Sequence, residues 1–309
     1  MSKRFKRMAA ATCLLMLAAL GCAGGEPAPA EEAATPTATG EAAATPAEDL
    51  PLVIAPVSGA FEDAPQPDRY SDDDLAALRA AAAAAPDDAA AQRELAIALH
   101  GSKLREEAIP YFERAAELSP GVRSWLDLAL AYNSLARIAD AEAAYARILA
   151  VEPGHPVALH NLGAIAAKRG DLEGAIDYYR RSLASDPGYL LAQYHLASAL
   201  ERTERYEDAY RAYGRVVNEM EPADGEETAL IYDALYRMAS LDIKMGAYPR
   251  AAQMLALLVE ENPNHDSAHY AYGQVLLQLG RTEEAQHEFE EHMRVLSEQH
   301  PQSPVAMGD

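Results

Sequence analysis

The feature that most constrains this chain is a spacing. Pro86, Pro120, Pro153, Pro187 and Pro263 stand 34, 33, 34 and 76 residues apart, a period near 34 whose last gap is two periods plus about eight residues. A period of that length marks an array of short units, none able to bury its apolar face alone, that gain a core only by stacking on one another. Half of the residues are apolar, many of them alanine, and 7% are aromatic, which favours helices packed through small side chains.

Within the unit ending at Pro153, apolar, small and aromatic residues fall at Trp125, Leu128, Ala129, Tyr132, Ala141, Tyr145 and Ile148. The unit ending at Pro187 repeats the pattern with Leu159, Leu162, Gly163, Ala175 and Tyr179, and the unit ending at Pro120 with Leu95, Ala96, Leu99, Ala108 and Phe112. Three further units carry Leu196, Ala197, Leu200, Ala209 and Tyr213; Leu235, Met238, Ala239, Ala251 and Leu255; and Tyr272, Gly273, Leu276, Ala285 and Phe289. These positions resemble the tetratricopeptide repeat family over about three quarters of the chain. The resemblance implies an all-α fold, a right-handed α-α superhelical solenoid of about six helical hairpins over residues 89–299. The repeats are placed at 89–121, 122–155, 156–189, 190–223, 232–265 and 266–299. In such a hairpin the small residue of the first helix meets that of the second, letting the helices approach closely, while Tyr145, Tyr179, Tyr213 and Phe289 fill the space between units. Each proline ends a second helix.

The ends follow from local chemistry. Ser71 before Asp72, Asp73 and Asp74 predicts a capped helix with an acidic first turn, an amino-terminal capping helix over residues 71–88. About eight extra residues around Pro222 precede a longer first helix from Glu226 to Lys244, read either as a loop insertion, which costs little entropy, or as a hinge. Residues 300–309 are expected to form a disordered tail.

Residues 1–21 read as a signal peptide: a cationic start with Lys3, Arg4, Lys6 and Arg7, an apolar run over residues 8–20, then Gly21 and Cys22. Ala18-Ala19-Leu20-Gly21-Cys22 resembles a bacterial lipobox, although the usual Leu and Ala order is exchanged at Ala19 and Leu20. The resemblance implies lipid attachment at Cys22, with two or three acyl chains giving stable membrane anchoring. An ordinary secretory signal cut near Ala23 and an uncleaved anchor are the alternatives. Cys13 leaves with the signal, so no thiol remains for disulfides, cysteine-ligated zinc or nucleophilic catalysis. Ala23 rather than Asp after the cysteine resembles lipoproteins sorted to the outer membrane facing the periplasm. Residues 22–70 follow as a tether: residues 23–70 hold eight of the nineteen prolines and nine acidic residues against Arg69 alone. A chain of that composition builds no core and spans on the order of 40 Å if flexible, up to about 150 Å if stiffened. One apolar stretch in it, residues 50–57 with Phe61 beyond, is a candidate to dock on the folded part.

The formal charge is -22, and near -26 once four basic residues leave with the signal. Such a chain repels phosphate backbones, so nucleic acid is excluded as a partner. By the family resemblance the first helices line a concave groove, and its fifth position reads Arg93, Leu126, His160, Tyr194, Tyr236 and Tyr270. Nearby groove positions add Arg123, Asn133, Asn161, Glu201, Asp233, Lys244, Gln274 and Gln278. The rings from His160 onward are expected either to present an aromatic ladder to an extended peptide or sugar, or to pack against the neighbouring helix. The carboxylate clamp of chaperone-binding family members is not reproduced, and basic or apolar-aromatic protein segments suit the groove better.

No cofactor is expected, nor catalysis. His265 and His269 stand four apart without a third metal ligand, beside Asn264 and Asp266, which look like capping residues. His287 and His292 stand five apart, on different helix faces. Nucleophile-elbow, phosphate-loop and dinucleotide-binding glycine patterns are missing from the sequence. The expected role is a membrane-anchored scaffold holding protein partners in the bacterial cell envelope, resembling tetratricopeptide lipoproteins that act as pilotins or outer-membrane assembly adaptors. A glycan or peptidoglycan-binding module and an obligate accessory subunit of an envelope complex are the alternatives.

Overall fold

The computed structural model describes residues 70–219 and 226–299, which hold thirteen α-helices and, among the described residues, no strand. The signal peptide, Cys22, residues 22–69 with the apolar stretch at 50–57 and Phe61, residues 220–225 with Pro222, and residues 300–309 lie outside the described residues. Helix α1 (Asp72–Ala84) starts at Ser71, whose hydroxyl accepts from the Asp74 N–H while the Asp74 carboxylate takes the Ser71 N–H. This is a reciprocal cap on an acidic first turn.

Twelve helices follow in hairpin order. They are α2 (Ala89–Gly101) and α3 (Arg105–Leu118), α4 (Val122–Ser134) and α5 (Ile138–Val151), then α6 (Pro156–Lys168) and α7 (Leu172–Ser185). After them come α8 (Leu190–Arg202) and α9 (Tyr206–Glu219), α10 (Glu226–Lys244) and α11 (Tyr248–Glu261), and α12 (Asp266–Gln278) and α13 (Thr282–Gln299). The described helices fall into two compact units, residues 70–195 and residues 196–299.

Each periodic proline sits two residues beyond a last helical residue, after Ala84, Leu118, Val151, Ser185 and Glu261. There the missing N–H and the pyrrolidine ring halt the helix. Within the hairpins the chain reverses through one left-handed residue: Lys103 (φ 65°), Ala136 (55°), Gly170 (84°), Glu204 (60°), Gly246 (73°) and Gly280 (73°). Glycine takes that conformation without steric cost, whereas Lys103, Ala136 and Glu204 hold it against their Cβ atoms. The step from Glu204 to Gly246 is 42 residues, against 33 or 34 for the other steps, so the extra eight residues fall between those two turns, six of them within the first helix of the fifth hairpin. First helix α10 is correspondingly long, 19 residues against 13 in α2 or α4.

The interior of each hairpin is built on size complementarity. A Cβ placed on Gly163 of α6 would lie 2.7 Å from the Tyr179 ring of α7, and one on Gly273 of α12 would lie 2.6 Å from the Phe289 ring of α13. The small residue therefore receives the aromatic ring sixteen residues later, rather than the opposing alanine alone. The same spacing links Ala96 to Phe112, Ala129 to Tyr145, Ala197 to Tyr213 and Ala239 to Leu255, every one of them buried. Tyr179 also stacks on His195 of α8 at 6.0 Å and 21°, so one ring fills its own hairpin and seals the next first helix onto it.

Gly163→Ala tests this packing, because two effects oppose. Alanine gains about 1 kcal/mol in a helix interior, but its methyl has no room beside a ring that is only 2% exposed, and overpacking costs about 1–3 kcal/mol. Urea denaturation should give a net loss. Gly121→Ala, where nothing lies within 4 Å of the added Cβ, meets no clash, and its cost is confined to the preference of a helix N-cap for glycine over alanine, about 1 kcal/mol or less.

Candidate partner-binding surfaces

In the unit of residues 70–195 the first helices use their fifth positions on one another. The Arg93 Nε of α2 donates to the Asp127 Oδ2 of α4 at 2.5 Å, and Asp127 is 1% exposed. Burial pushes the Asp127 carboxyl up, opposed by the bond from Arg93 and then by the charges of Arg93 and Arg123. Arg93 is thus a bolt between successive hairpins with about a quarter of its side chain exposed. Leu126 is buried, and Asn133 is buried while donating to the Tyr145 hydroxyl at 2.7 Å. Asn161 is buried as well and donates to the Val157 carbonyl at 2.9 Å. His160 is fully buried among Tyr179, Tyr189 and His195, its Nδ1 3.3 Å from the Tyr189 hydroxyl. Tyr194 is 4% exposed and meets His195 edge-on at 5.5 Å. The structure therefore places Leu126, Asn133, His160 and Tyr194 in the packed interior, with little surface to offer a ligand. Arg93 and His160 are taken up by residues of the next first helix of this unit, Asp127 and His195. Arg123 remains exposed.

In the unit of residues 196–299 the expected residues divide differently. Glu201, 12% exposed, takes Lys244 at 2.9 Å, Arg237 at 3.7 Å and the Tyr213 hydroxyl at 3.3 Å. Lys244 also lies 5.5 Å from the centre of the Tyr206 ring. Asp233 is drawn to Arg237 at 3.2 Å. Tyr236 is partly buried beneath the His265 ring at 5.3 Å, and burial raises its hydroxyl's pKa. Deeper in this unit, Asp242 is fully buried against Arg250, whose guanidinium lies over Tyr210. Burial pushes the Asp242 carboxyl up to about 6 against the pull of Arg250.

Helix α12 presents the open surface. Tyr270 is 47% exposed and so is Leu277, with exposed Gln274 between them at helical spacing and Gln278 beside. The Tyr270 ring is backed by Phe289 at 5.8 Å and His292 at 5.3 Å, which hold it in place from α13. Met293 of α13 is exposed nearby in sequence to those two. Sequence reasoning missed Leu277 and Met293; the signal for Leu277 was its place seven residues after Tyr270 on one helix.

The histidines considered as metal ligands serve structural ends. His265 caps α12 by accepting from the Ala268 N–H at 3.3 Å, the role expected of Asn264 or Asp266. His269 sits between Glu288 at 2.6 Å and the Pro263 carbonyl at 3.1 Å, and His292 donates to the Asp266 carbonyl at 2.9 Å. Among the described residues no three His, Cys, Asp or Glu side chains gather as a metal site requires, and no helix is long and apolar enough to cross a membrane.

Burial depresses the pKa of His160 well below that of a free imidazole, with the neighbouring His195 adding to the effect, and burial also lowers His100, His155 and His265. These rings stay neutral in the fold but take protons when unfolded, so below about pH 6.5 the unfolded state binds more protons and stability falls with pH. Asp242 acts oppositely only below about pH 6, where the folded state takes up a proton first. The melting temperature should drop between pH 7.5 and pH 6, and His160→Asn, which keeps an acceptor for Tyr189, should flatten that drop. A flat profile over this window contradicts the burial of these rings.

Two family models described as tetratricopeptide repeat match the chain, one over residues 75–123 and 126–189, the other over residues 166–223 and 242–306. No curated protein matches it in sequence. Among solved structures, PilF of Pseudomonas aeruginosa is similar at 16% identity and a TM-score of 0.54, covering 70% of this chain and 93% of PilF. PilW, titled a widely conserved type IV pilus biogenesis factor, is similar at 16% identity and a TM-score of 0.53, covering 70% of this chain and 95% of its own. MamA is similar at 19% identity and a TM-score of 0.50, over 61% of this chain and 98% of MamA. At these identities the likeness is one of fold.

Proposed function

From the premise that the chain belongs to the tetratricopeptide repeat family, a family of protein-interaction scaffolds, we propose that it is a lipid-anchored scaffold of the bacterial cell envelope that holds basic or apolar-aromatic segments of partner proteins.

 The acylated Cys22 would fix it to the membrane, and residues 22–70 would let the repeats stand away from the bilayer. The observation that carries the reading is the exposed row Tyr270, Gln274 and Leu277 on a first helix, with the Tyr270 ring braced by Phe289 and His292. A tyrosine already held in place loses little entropy on contact and offers a flat apolar face with a polar tip. An extended partner segment laid along α12 would meet that ring, the Gln274 amide and the Leu277 side chain in turn. The charge of -22 favours partners carrying basic patches and makes their capture sensitive to salt.

Two variants of the full-length protein test this reading. Tyr270→Ala should abolish recovery of stoichiometric protein partners from solubilised envelopes while leaving the melting temperature nearly unchanged, because the ring is half exposed. Tyr194→Ala should instead unfold the protein more easily, at a cost of about 3–5 kcal/mol for an emptied aromatic site. Cys22→Ser should move the protein to the soluble fraction or leave its signal uncleaved. Unchanged membrane partition of that variant contradicts the anchor, and undiminished partner recovery by Tyr270→Ala contradicts the surface. Binding to purified sacculi with no protein partner would favour a glycan ligand instead.

A further inference from the structure

The unit of residues 70–195 carries a second surface, away from the positions discussed above. Second helices α3 and α5 flank α4 and leave between them an open crevice of about 300 Å³. Its floor is apolar and aromatic: Trp125, Leu128 and Tyr132 of α4. Its rim is acidic, with Glu113 and Glu117 from α3 and Asp140 from α5, against Arg147 as the one cation among the lining residues. The Trp125 indole N–H is buried without an acceptor among the described residues.

The rim carboxylates keep capacity for a ligand. Glu113 accepts from the Tyr132 hydroxyl at 2.6 Å, which leaves further lone pairs on a carboxylate. Glu117 makes only a 3.3 Å contact with Arg114, three residues earlier on the same helix and largely exposed. The surface also already accommodates a guanidinium: Arg137, paired with Asp140 at 2.7 Å, lies 4.4 Å from the centre of the Tyr132 ring. Among the described residues no such cation lies over the Trp125 ring.

We propose that this crevice receives an arginine side chain from a basic segment of a partner protein. The methylenes of the arginine would lie against Leu128, its planar guanidinium would stack on Trp125, and its N–H fork would reach Glu113 and Glu117. Arginine suits the site better than lysine because it stacks on aromatic faces and pairs with carboxylates in a fixed geometry. The acidic chain as a whole attracts such a segment from a distance. The inference extends the scaffold reading to a different face and a different unit, so the two can fail separately.

Trp125 is the only tryptophan of the chain, and its emission reports on this crevice alone. The full chain is titrated with the peptide acetyl-Ala-Arg-Ala-amide and, separately, with the citrulline counterpart, which keeps the shape and lacks the charge. The expected result is a saturable change in tryptophan emission for the arginine peptide, with the citrulline peptide bound about tenfold more weakly, a difference of about 1.4 kcal/mol. Glu113→Gln combined with Glu117→Gln should weaken the arginine peptide about fivefold or more, since a charge-assisted bond is roughly twice as strong as a neutral one. The glutamine at 113 still accepts from Tyr132, and an unchanged circular dichroism melt verifies the fold. Glu260→Gln with Glu283→Gln, exposed carboxylates of the other unit, should leave the titration as it was. The proposal is overturned by a linear or absent response, by an equal response to citrulline, or by a rim variant that binds as well as the parent.

Discussion

Everything in the described structure depends on an aromatic ring seated on a residue without a side chain, or nearly so. Tyr179 lies where a Cβ on Gly163 would have to be, and Phe289 does the same at Gly273. That contact lets two helices of 13 or 14 residues approach closely enough to exclude water between them. Helices of this length are marginal in isolation, so tertiary packing must supply their stability. The rings at 145, 179 and 213 are all essentially unexposed, and Tyr179 shows why: it touches its own hairpin and the first helix of the next. Ala96, Ala129 and Ala197 are small and buried at the positions that face Phe112, Tyr145 and Tyr213 sixteen residues on.

The same closeness decides which residues are left for partners. First helices packed side by side consume their own fifth positions, through the Arg93 and Asp127 pair and the His160, Tyr189 and His195 cluster. Burying such groups is costly unless they find partners; Asp127 takes Arg93 on one oxygen and His160 meets the Tyr189 hydroxyl on one nitrogen, while the other oxygen of Asp127 and the Nε2 of His160 are buried without a hydrogen bond among the described residues. What stays available is whatever the packing does not reach: the Tyr270, Gln274 and Leu277 row on α12, and the acidic crevice over Trp125.

The repeat was legible in the sequence because its cause is local and periodic. Prolines at a period near 34 mark helix ends, small residues at matching places of paired helices mark the hairpin interior, and Ser71 before three aspartates marks a cap, whereas the rings were expected between units and Tyr179 and Phe289 also reach into their own hairpins. Pro110 shows the limit of the first rule, since it lies inside α3 and the helix continues through it. The αL turn at Ala136 was not legible, because alanine carries no signal for a positive φ. The burial of Tyr194 was one of two readings the sequence left open, and the use of Arg93 as an interhelical bolt was not legible, because it depends on Asp127 a full repeat away. The crevice over Trp125 was least legible of all: its rim comes from two helices whose acidic residues look, one at a time, like ordinary solvated positions.

The central claim is that a hairpin is incomplete without its neighbours, and circular dichroism of a peptide of residues 156–185 alone tests it most directly. That segment contains Gly163 and Tyr179 but lacks His195 and the helices on either side. The account predicts a weakly helical chain that melts without cooperativity, whereas the same residues within the full chain melt in a cooperative transition. A peptide that folds by itself into a stable, cooperatively melting hairpin would contradict it.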